Sequence, residues 1–325
     1  MAQLVPFTKL EELCNDLDIV DGQIQQHKNS NEVYLPGHPR IQLHDLHGIK
    51  ECLQTELMTT DLNKLAPYLW LVAKQDSQHI SSLTEQIVRG RNIILTENPG
   101  LHLLWFDNRV FIKPIPKYLL SHAFWDYYLM PTNPPRIQEP VRKELIQAAY
   151  GMLRSFAILI KHESDFALAT RKENQLIPDN ISYASFINFI DRFQITDNQV
   201  SPRYQYGELR LMRLNFWSRI FLLRFNYHKV EWAYGAYFAR YYGPILFIFG
   251  VFSLLLSAMQ VVFNVLAIQG LPDPGSGSWW TFAVVSRDFS IFTLVVVAAI
   301  TAFLLATFIA LFARELIYAL YHLHR

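Results

Sequence analysis

The sequence predicts an α+β cytosolic region that is mostly helical after residue 136, followed by a C-terminal hairpin of two transmembrane helices. The hairpin is predicted by two uncharged apolar runs, 244–268 and 289–313. Each run has about 25 residues, which is long enough for a helix to cross a hydrocarbon layer of roughly 30 Å. Soluble helices of this length usually carry charge along one side. The α+β part is predicted by short strand and helix patterns that alternate before longer helical patterns begin.

The charge balance indicates the orientation of the hairpin. Lys and Arg total 29 against 28 Asp and Glu, so no general affinity for nucleic acid is expected. Seven bases and two acids lie between Arg203 and Arg240, whereas 269–288 carries one Arg and two Asp. Because Lys and Arg are enriched on the cytoplasmic side of membrane proteins, both termini are predicted to be cytosolic. The two cysteines give no disulfide framework, as expected for a reducing compartment. Nothing in the sequence names the organelle.

Residues 1–130 are predicted to form a small α+β cytosolic domain. The best signal is Leu101–Pro114, where two apolar runs flank Asp107 and Asn108. These two residue types accept the left-handed backbone of a tight turn, so we expect a β-hairpin there. Shorter patterns predict helices over 55–72 and 83–88 and strands over 33–35 and 93–95.

The proline-rich stretch 131–135 is predicted to be an internal boundary, because proline cannot continue a helix. A helical cytosolic region, 131–202, follows it. Apolar residues recur every three or four positions over 139–161 and again after Asp179 or Ser182, either of which could cap a second helix. The positions predicted as core are Leu145, Ala149, Met152, Phe156 and Ile160 in the first helix and Phe186, Phe189, Ile190 and Phe193 in the second.

Residues 203–243 are dense in Arg and aromatic residues and are predicted to form a juxtamembrane helix. On a helix with 100° per residue, four arginines fall within about 80° of one another and form a basic ridge. They are Arg203, Arg210, Arg213 and Arg224. The ridge either faces anionic lipid headgroups, with the aromatic rings at the bilayer boundary, or belongs to a buried helix whose arginines pair with acids of the domain.

The two spans are predicted to be separated by an outer loop, 269–288, and followed by a short cytosolic tail, 314–325. Each span carries a strip of small or polar residues at steps of three or four, which predicts close helix packing. The strips are Gly250, Ser253, Ser257, Gln260 and Asn264 in the first span and Ala298, Ala302, Ala306 and Ala310 in the second. An amide in lipid finds no water, so Gln260 and Asn264 should face the partner helix, a second copy of the chain, or a pore.

The common signatures of catalysis and cofactor binding are missing from the sequence. It has no GxxxxGK[ST] or GxGxxG run, no GxSxG elbow, no HExxH helix and no paired CxxC elements. We therefore expect no cofactor and assign no catalytic residue. The only metal-like spacing is His44-x-x-His47 with Cys52 following, and it lacks a second ligand pair. A structural role for these residues is the favoured interpretation.

Three blocks of the sequence resemble a family of fungal membrane proteins of unknown function. They are LTENPGLHLLWFDNRVFIKPIPKYLL at 95–120, HAFWDYYL at 122–129 and LSAMQVV at 256–262. The resemblance runs from about Tyr34 to Ala313 and implies a cytosolic domain followed by two late spans. It implies no activity, so no catalytic residue is carried over.

A looser resemblance is to CorA-type magnesium channels, which share the layout of a cytosolic domain, a long helix and two C-terminal spans. Their first span ends in a Gly-Met-Asn signature. Here the corresponding end reads Phe263-Asn264-Val265-Leu266, with only Asn264 available. The resemblance is therefore one of layout and suggests a degenerate relative.

Three functions remain open at this level. The favoured one is a non-enzymatic, membrane-anchored binding or assembly protein, whose partners are membrane lipid and either another protein or a second copy of the chain. The alternatives are an ion channel or transporter with the CorA layout and a membrane-bound enzyme with an unrecognised site, which would require a concave pocket with converging ionisable groups.

Overall fold

The fold was obtained as a computed structural model that describes residues 5–26, 34–131, 135–224, 226–228, 234–269 and 277–323. The chain forms two compact units, Met1–Lys229 and Val230–Arg325. The first unit is α+β and the second consists of two long apolar helices. The predicted fold class is therefore confirmed.

Two small antiparallel sheets begin the first unit. Strands β1 (Leu17–Val20) and β2 (Gln23–Gln26) form one, and β3 (Tyr34–Leu35) and β4 (His38–Gln42) form the other. Asp21 and Gly22, with φ of 50° and 75°, make the two-residue turn between β1 and β2. Positive φ at both positions matches the right-handed twist of the flanking strands.

The central sheet contains the predicted hairpin. Its strands are β5 (Asn92–Leu95), β6 (Leu104–Phe106), β7 (Arg109–Ile112) and β8 (Leu209–Arg210), in the spatial order β5-β7-β6-β8. Strands β6 and β7 are antiparallel, and Asp107 between them has a φ of 55°, which confirms the expected tight turn. Strands β5 and β8 pair in parallel with β7 and β6, respectively.

Three helices precede strand β5 of this sheet in the sequence. They are α1 (Leu46–Leu57), α2 (Thr60–Leu65), which continues into a 3₁₀ turn at Ala66–Leu71, and α3 (Leu83–Val88). Helix α3 has the predicted bounds and is capped reciprocally by Ser82 and Glu85. The single helix predicted over 55–72 is interrupted at Met58, whose ψ of 131° is extended.

The helical part of the first unit shares its core with the part before it. A short helix, α4 (His122–Phe124), continues into a wider turn at Trp125–Leu129 and is followed by α5 (Val141–Leu159), α6 (Glu163–Ala169) and α7 (Tyr183–Ile190). Ser182 caps α7, and every position predicted as core in α5 and α7 is buried.

The stretch 131–135 does not separate two domains. The indole of Trp125, before it, stacks on Tyr150 with ring centroids 5.6 Å apart and lies 6.0 Å from the ring of Phe193, both after it. Buried residues from both sides form one hydrophobic cluster. The helical turn ends at Leu129, before Pro131, and the aromatic side chains on either side of the stretch pack together.

In place of one helix over 203–243, the structure has several elements. A 3₁₀ turn at Pro202–Gln205 leads to β8 and then to α8 (Leu211–Phe221), and the next described helix is Tyr234–Gln269. The main chain at Gly207 passes so close to that of His79 that any Cβ would collide with the His79 main-chain oxygen. The pairing of β8 with β6 also requires extended backbone at 209–210.

The second unit is built from α9 (Tyr234–Gln269) and α10 (Gly277–Leu323). The ring of Phe252 lies 5.7 Å from that of Phe289, and Phe263 lies 5.7 Å from Phe282. The two helices are therefore antiparallel. Because α10 begins at Gly277, most of the predicted outer loop is helical. Within the described residues, Trp280–Phe303 of α10 is apolar and long enough to cross a membrane, and the predicted bounds 289–313 of the second span stay a prediction.

Candidate functional site

The contact between α9 and α10 is formed by residues outside the two predicted strips. Besides the two ring pairs, Ser286 and Thr293 of α10 are buried. The Thr293 hydroxyl donates to the main-chain oxygen of Phe289 at 2.8 Å, so this polar group is satisfied within its own helix. Small side chains at this contact allow two helices to approach closely.

The predicted strips lie on other faces of the two helices. Gly250, Ser257, Gln260 and Asn264 are exposed, and Ser253 is partly buried. A Cβ placed on Gly250 would meet no atom within 4 Å.

The second predicted strip has the same exposed character. Ala298, Ala302 and Ala306 are exposed, whereas Ala310 lies outside the residues whose side chains are described. Packing of both strips against a second copy of the chain stays a prediction.

Among the four arginines of the predicted ridge, Arg203 is buried inside the first unit. It is 1% exposed, and its guanidinium donates to the main-chain oxygens of Tyr206, Gly207 and His102 at 2.9, 3.0 and 3.1 Å. Burial lowers the pKa of this guanidinium to about 10, so it remains charged at neutral pH. The headgroup role predicted for Arg203 is therefore corrected to a structural one, because its donors are used inside the core.

The other three arginines do not form one ridge with it. The guanidinium of Arg210 lies 4.8 Å from the ring centroid of Trp105, where Arg91 lies on the same ring at 4.3 Å. Arg224 forms an ion pair with Asp61. Arg213 is exposed on α8. The predicted alternative, arginines paired with acids of the domain, therefore describes Arg224.

Helix α8 is apolar on two sides. Leu211, Leu214 and Ser218 are buried against the first unit, while the opposite side carries large apolar side chains that nothing in the described chain covers. We define the α8 outer face as Met212, Phe216 and Ile220 of the helix together with Leu223, which lies just after its end, bordered by Arg213 and Arg219. Phe216 is 56% exposed and Leu223 is 89% exposed.

A concave groove of about 460 Å³ lies where the end of α1, the start of α2 and the segment after α8 meet. Its lining is mostly polar and consists of Gln54, Thr55, Met58, Thr59, Thr60, Asp61, Asn98, Pro99, Gly100, Arg224, Tyr227 and His228. The amide of Asn215 fixes one wall, because its oxygen accepts from the main-chain nitrogens of Tyr227 and His228 and its nitrogen donates to the main-chain oxygen of His228.

The ionisable groups of this groove are engaged with their neighbours. Asp61 and Arg224 neutralise each other. The Tyr227 hydroxyl donates to the main-chain oxygen of Gly100 at 3.0 Å, and burial raises the pKa of Tyr227. Burial also lowers the pKa of His228, which favours its neutral form. The groove can offer hydrogen bonds to a small polar molecule, but its described side chains do not form a pair of general acid and general base.

A buried lysine, Lys113, lies near this groove and was not predicted from the sequence. The Lys113 ammonium donates to the Glu97 carboxylate at 2.9 Å, to the Glu97 main-chain oxygen at 2.8 Å and to the Glu56 carboxylate at 2.5 Å. Its side chain is 1% exposed. The only sequence signal is a Lys directly after the apolar run that forms β7, because such a residue needs a partner when it is buried.

His102 and Ser155 form a second buried polar contact. The main-chain nitrogen of Lys113 donates to Nδ1 of His102 at 3.1 Å, so Nε2 carries the proton and lies 2.8 Å from the Ser155 hydroxyl. That hydroxyl donates to the main-chain oxygen of Met152 at 2.6 Å. Burial, aided by the nearby charges of Arg203 and Lys113, lowers the pKa of His102 to about 3.

The metal-like spacing is not assembled into a cluster. His44 and His47 are exposed and Cys52 is half-buried. Within the described part of the chain, no three His, Cys, Asp or Glu side chains are grouped so that they could hold a metal ion.

Comparison with known proteins gives one match. The model of a family described as a family of unknown function, DUF6601, covers residues 49–297, which is more than half of the chain. No curated protein and no solved structure matches the chain. The matched region includes the central sheet, the groove, all of α9 and the start of α10. On this match, the chain belongs to the family of unknown function DUF6601.

Proposed function

We propose that this protein is a membrane-anchored assembly protein, in which α9 and α10 cross the bilayer and α9 contacts a second copy of the chain. The observation that carries the proposal is the exposure of two long apolar helices. In the most apolar stretch of Ile245–Val265 no side chain is buried, and in that of Trp280–Phe303 only 11% are. Core helices of soluble proteins of this length are mostly buried.

The free energy of transferring apolar side chains out of water supports insertion of α9 and α10 into a membrane. A fully exposed Leu or Phe side chain forgoes about 1.5–3 kcal/mol of transfer free energy. Phe247, Leu254, Leu294 and Phe303 are each more than two-thirds exposed. Contiguous apolar surface on this scale marks contact with a membrane or with another protein.

The orientation follows from the charges that flank the helices. The excess of Arg and Lys before α9 favours a cytosolic position for both termini. The globular unit would then face the cytosol as well. This topology is tested by the accessibility of an N-terminal tag to protease in sealed vesicles.

The assembly part of the proposal depends on Gln260 and Asn264. Both lie within the stretch that would cross the membrane, and both are exposed on a face that α10 does not cover. An amide without a hydrogen-bond partner in hydrocarbon costs several kcal/mol. A second α9 helix, presenting the same two amides, would pair them across a two-fold axis.

Membrane insertion is tested with the full chain in cells or reconstituted vesicles. We expect the protein to stay in the membrane pellet after extraction with alkaline carbonate and to be released by detergent. Release by carbonate alone would overturn the proposal.

Assembly is tested by cross-linking and sizing of the full chain in mild detergent. We expect a dimer or larger closed oligomer in the wild type and a shift toward monomer in the variant Gln260→Leu/Asn264→Leu. Leu255→Met is the matched control, because Leu255 lies on the opposite side of α9 and should leave the assembly unchanged. A wild-type monomer, or an assembly that the double variant leaves intact, would contradict this part of the proposal.

A further inference from the structure

We infer that the α8 outer face docks on the surface of an anionic lipid bilayer, an inference that rests on the membrane anchoring proposed above. The face presents four large apolar side chains to solvent. The opposite side of α8, formed by Leu211, Leu214 and Ser218, is already buried in the globular unit. Since a surface helix normally turns a polar face outward, the outward apolar face of α8 requires a partner.

The geometry of this face matches a helix that lies flat at a membrane interface. On a helix with 100° per residue, Met212, Phe216 and Ile220 fall within about 80° of one another. Leu223 follows the end of α8 and is 89% exposed. Arg219 borders this stripe on one side and Arg213 on the other. Apolar side chains between two basic edges are the pattern by which interfacial helices insert shallowly while their charges reach the headgroups.

Charge favours a lipid surface over a protein groove. Helix α8, with the sequence LMRLNFWSRIF, contains no acidic residue. Guanidinium groups bind lipid phosphates through paired hydrogen bonds. Each base near an anionic leaflet contributes about 1 kcal/mol of attraction.

Aromatic rings lie on α8 between its outer face and its buried side. The ring of Phe221, at the end of α8, stacks on that of Tyr68 with centroids 3.9 Å apart, and Trp217 stacks on Phe221 at 5.8 Å. Trp and Tyr side chains are enriched at the boundary between hydrocarbon and headgroups.

The position of α8 in the sequence lowers the entropic cost of docking. Only residues 222–233 connect it to α9, which is proposed to be inserted in the bilayer. A short connection gives the α8 outer face a high effective concentration at the lipid surface, so even modest intrinsic affinity suffices.

The test places an environment-sensitive fluorophore on the full chain in lipid nanodiscs that contain brominated lipid. Three variants carry the label: Ile220→Cys on the α8 outer face, Leu254→Cys in α9, and Val88→Cys as a matched control on an exposed apolar residue of α3. Burial raises the pKa of the native thiols of Cys14 and Cys52 to about 11, so labelling at neutral pH is directed to the introduced cysteine.

In discs containing phosphatidylserine we expect bromine quenching and a blue shift at position 220, stronger quenching at 254 and neither effect at 88. Quenching at 220 should fall in discs of phosphatidylcholine alone, at high salt, and in the variant Arg213→Gln/Arg219→Gln.

The two proposals fail in distinguishable ways. Absence of quenching at 254 would overturn the anchoring itself. Quenching at 254 without quenching at 220 would leave the anchor in place and overturn the docking of α8. A blue shift at 220 without bromine quenching would also overturn it, because the face would then be covered by protein rather than lipid.

Discussion

The guanidinium of Arg203 donates a hydrogen bond to the main-chain oxygen of His102 at 3.1 Å. This bond joins two segments that are far apart in sequence, the start of the hairpin strand β6 and the turn that precedes β8. Two further carbonyls, of Tyr206 and Gly207, accept from the same side chain. Arg203 therefore holds the edge strand β8 in the central sheet.

We expect Arg203→Met to lower the free energy of unfolding by about 3 kcal/mol or more, because each buried carbonyl left without a donor costs about 1–3 kcal/mol. Chemical denaturation followed by tryptophan fluorescence measures the change. Arg213→Met, on the exposed side of α8, is the control and should change stability by no more than about 0.5 kcal/mol. Equal effects of the two substitutions would refute the structural role of Arg203.

His102 makes the stability of the globular unit sensitive to acid. Its pKa is about 3 in the folded protein and about 6.5 in an unfolded chain. The unfolded state therefore binds the additional proton below pH 6.5, so stability is complete above that pH and is lost as the pH falls toward 3. The loss reaches on the order of 3 kcal/mol near pH 4.

The non-titrating variant His102→Asn isolates this contribution, since the Asn oxygen can still accept from the Lys113 main-chain nitrogen. Its unfolding free energy should depend less steeply on pH between about 4 and 7 than that of the wild type. Nitrogen NMR of the wild-type imidazole provides a second measurement, and a signal that shifts to the doubly protonated form near pH 6 would contradict the prediction.

The buried ammonium of Lys113 is expected to matter far more than an exposed one. Lys113→Met leaves Glu56 and the Glu97 carbonyl without their donor, and we expect a loss of about 3 kcal/mol in unfolding free energy. Lys9, which pairs with Asp18 at 2.8 Å on the surface, is the matched control. Lys9→Met should have a much smaller effect, because exposed ion pairs contribute little to stability. Comparable losses in thermal or chemical unfolding would show that the Lys113 contacts are not important.

Gly100 leaves room for the Tyr227 hydroxyl, and the Tyr227 side chain lines the polar groove. A Cβ at this position would collide with the Tyr227 hydroxyl, so Gly100→Ala should displace Tyr227 and increase hydrogen exchange over 226–228. Tyr227→Phe alone removes one hydrogen bond and should cost about 1 kcal/mol. In the double variant the collision is removed, so exchange should return toward that of Tyr227→Phe. If the second substitution gives no recovery, the steric explanation fails.

The hairpin of α9 and α10 is predicted to respond to Ser286 rather than to Ala302. Ser286→Leu inserts a large side chain at a buried position of the contact and should separate the helices, because overpacking costs about 1–3 kcal/mol. Ala302→Leu changes an exposed residue and should leave the hairpin intact.

Disulfide formation between cysteines introduced at Phe252 and Phe289, scored in the full chain, measures the contact. The cross-link should weaken with Ser286→Leu and persist with Ala302→Leu. The reverse order would restore the alanine strip as the contact within the hairpin.

Local signals in the sequence identified the elements whose ends are fixed by their own residues. The β6–β7 hairpin was predictable because Asp107 adopts the left-handed backbone that the turn needs. Helix α3 was predictable because Ser82 and Glu85 cap it reciprocally. The apolar positions of α5 followed from their spacing alone.

The elements that were not predicted depend on contacts between distant residues. The parallel pairing of β8 with β6 joins Leu209 to Leu104, and no periodicity within 203–243 reveals it. Likewise, Arg203 carries the charge expected at a headgroup, yet its three carbonyl partners exist only in the folded unit. The groove shares this origin, since α1, α2 and the segment after α8 meet there only through tertiary packing.

The apolar outward side of α8 also limits how the globular unit can be handled. A fragment that ends at residue 229 would retain Phe216, Ile220 and Leu223 on its surface, without the helices that keep the chain at a bilayer. Such a fragment is expected to self-associate during expression and to require detergent for purification, although it lacks both apolar helices. Replacing these three side chains with Ser or Gln is therefore the route to a monodisperse soluble fragment.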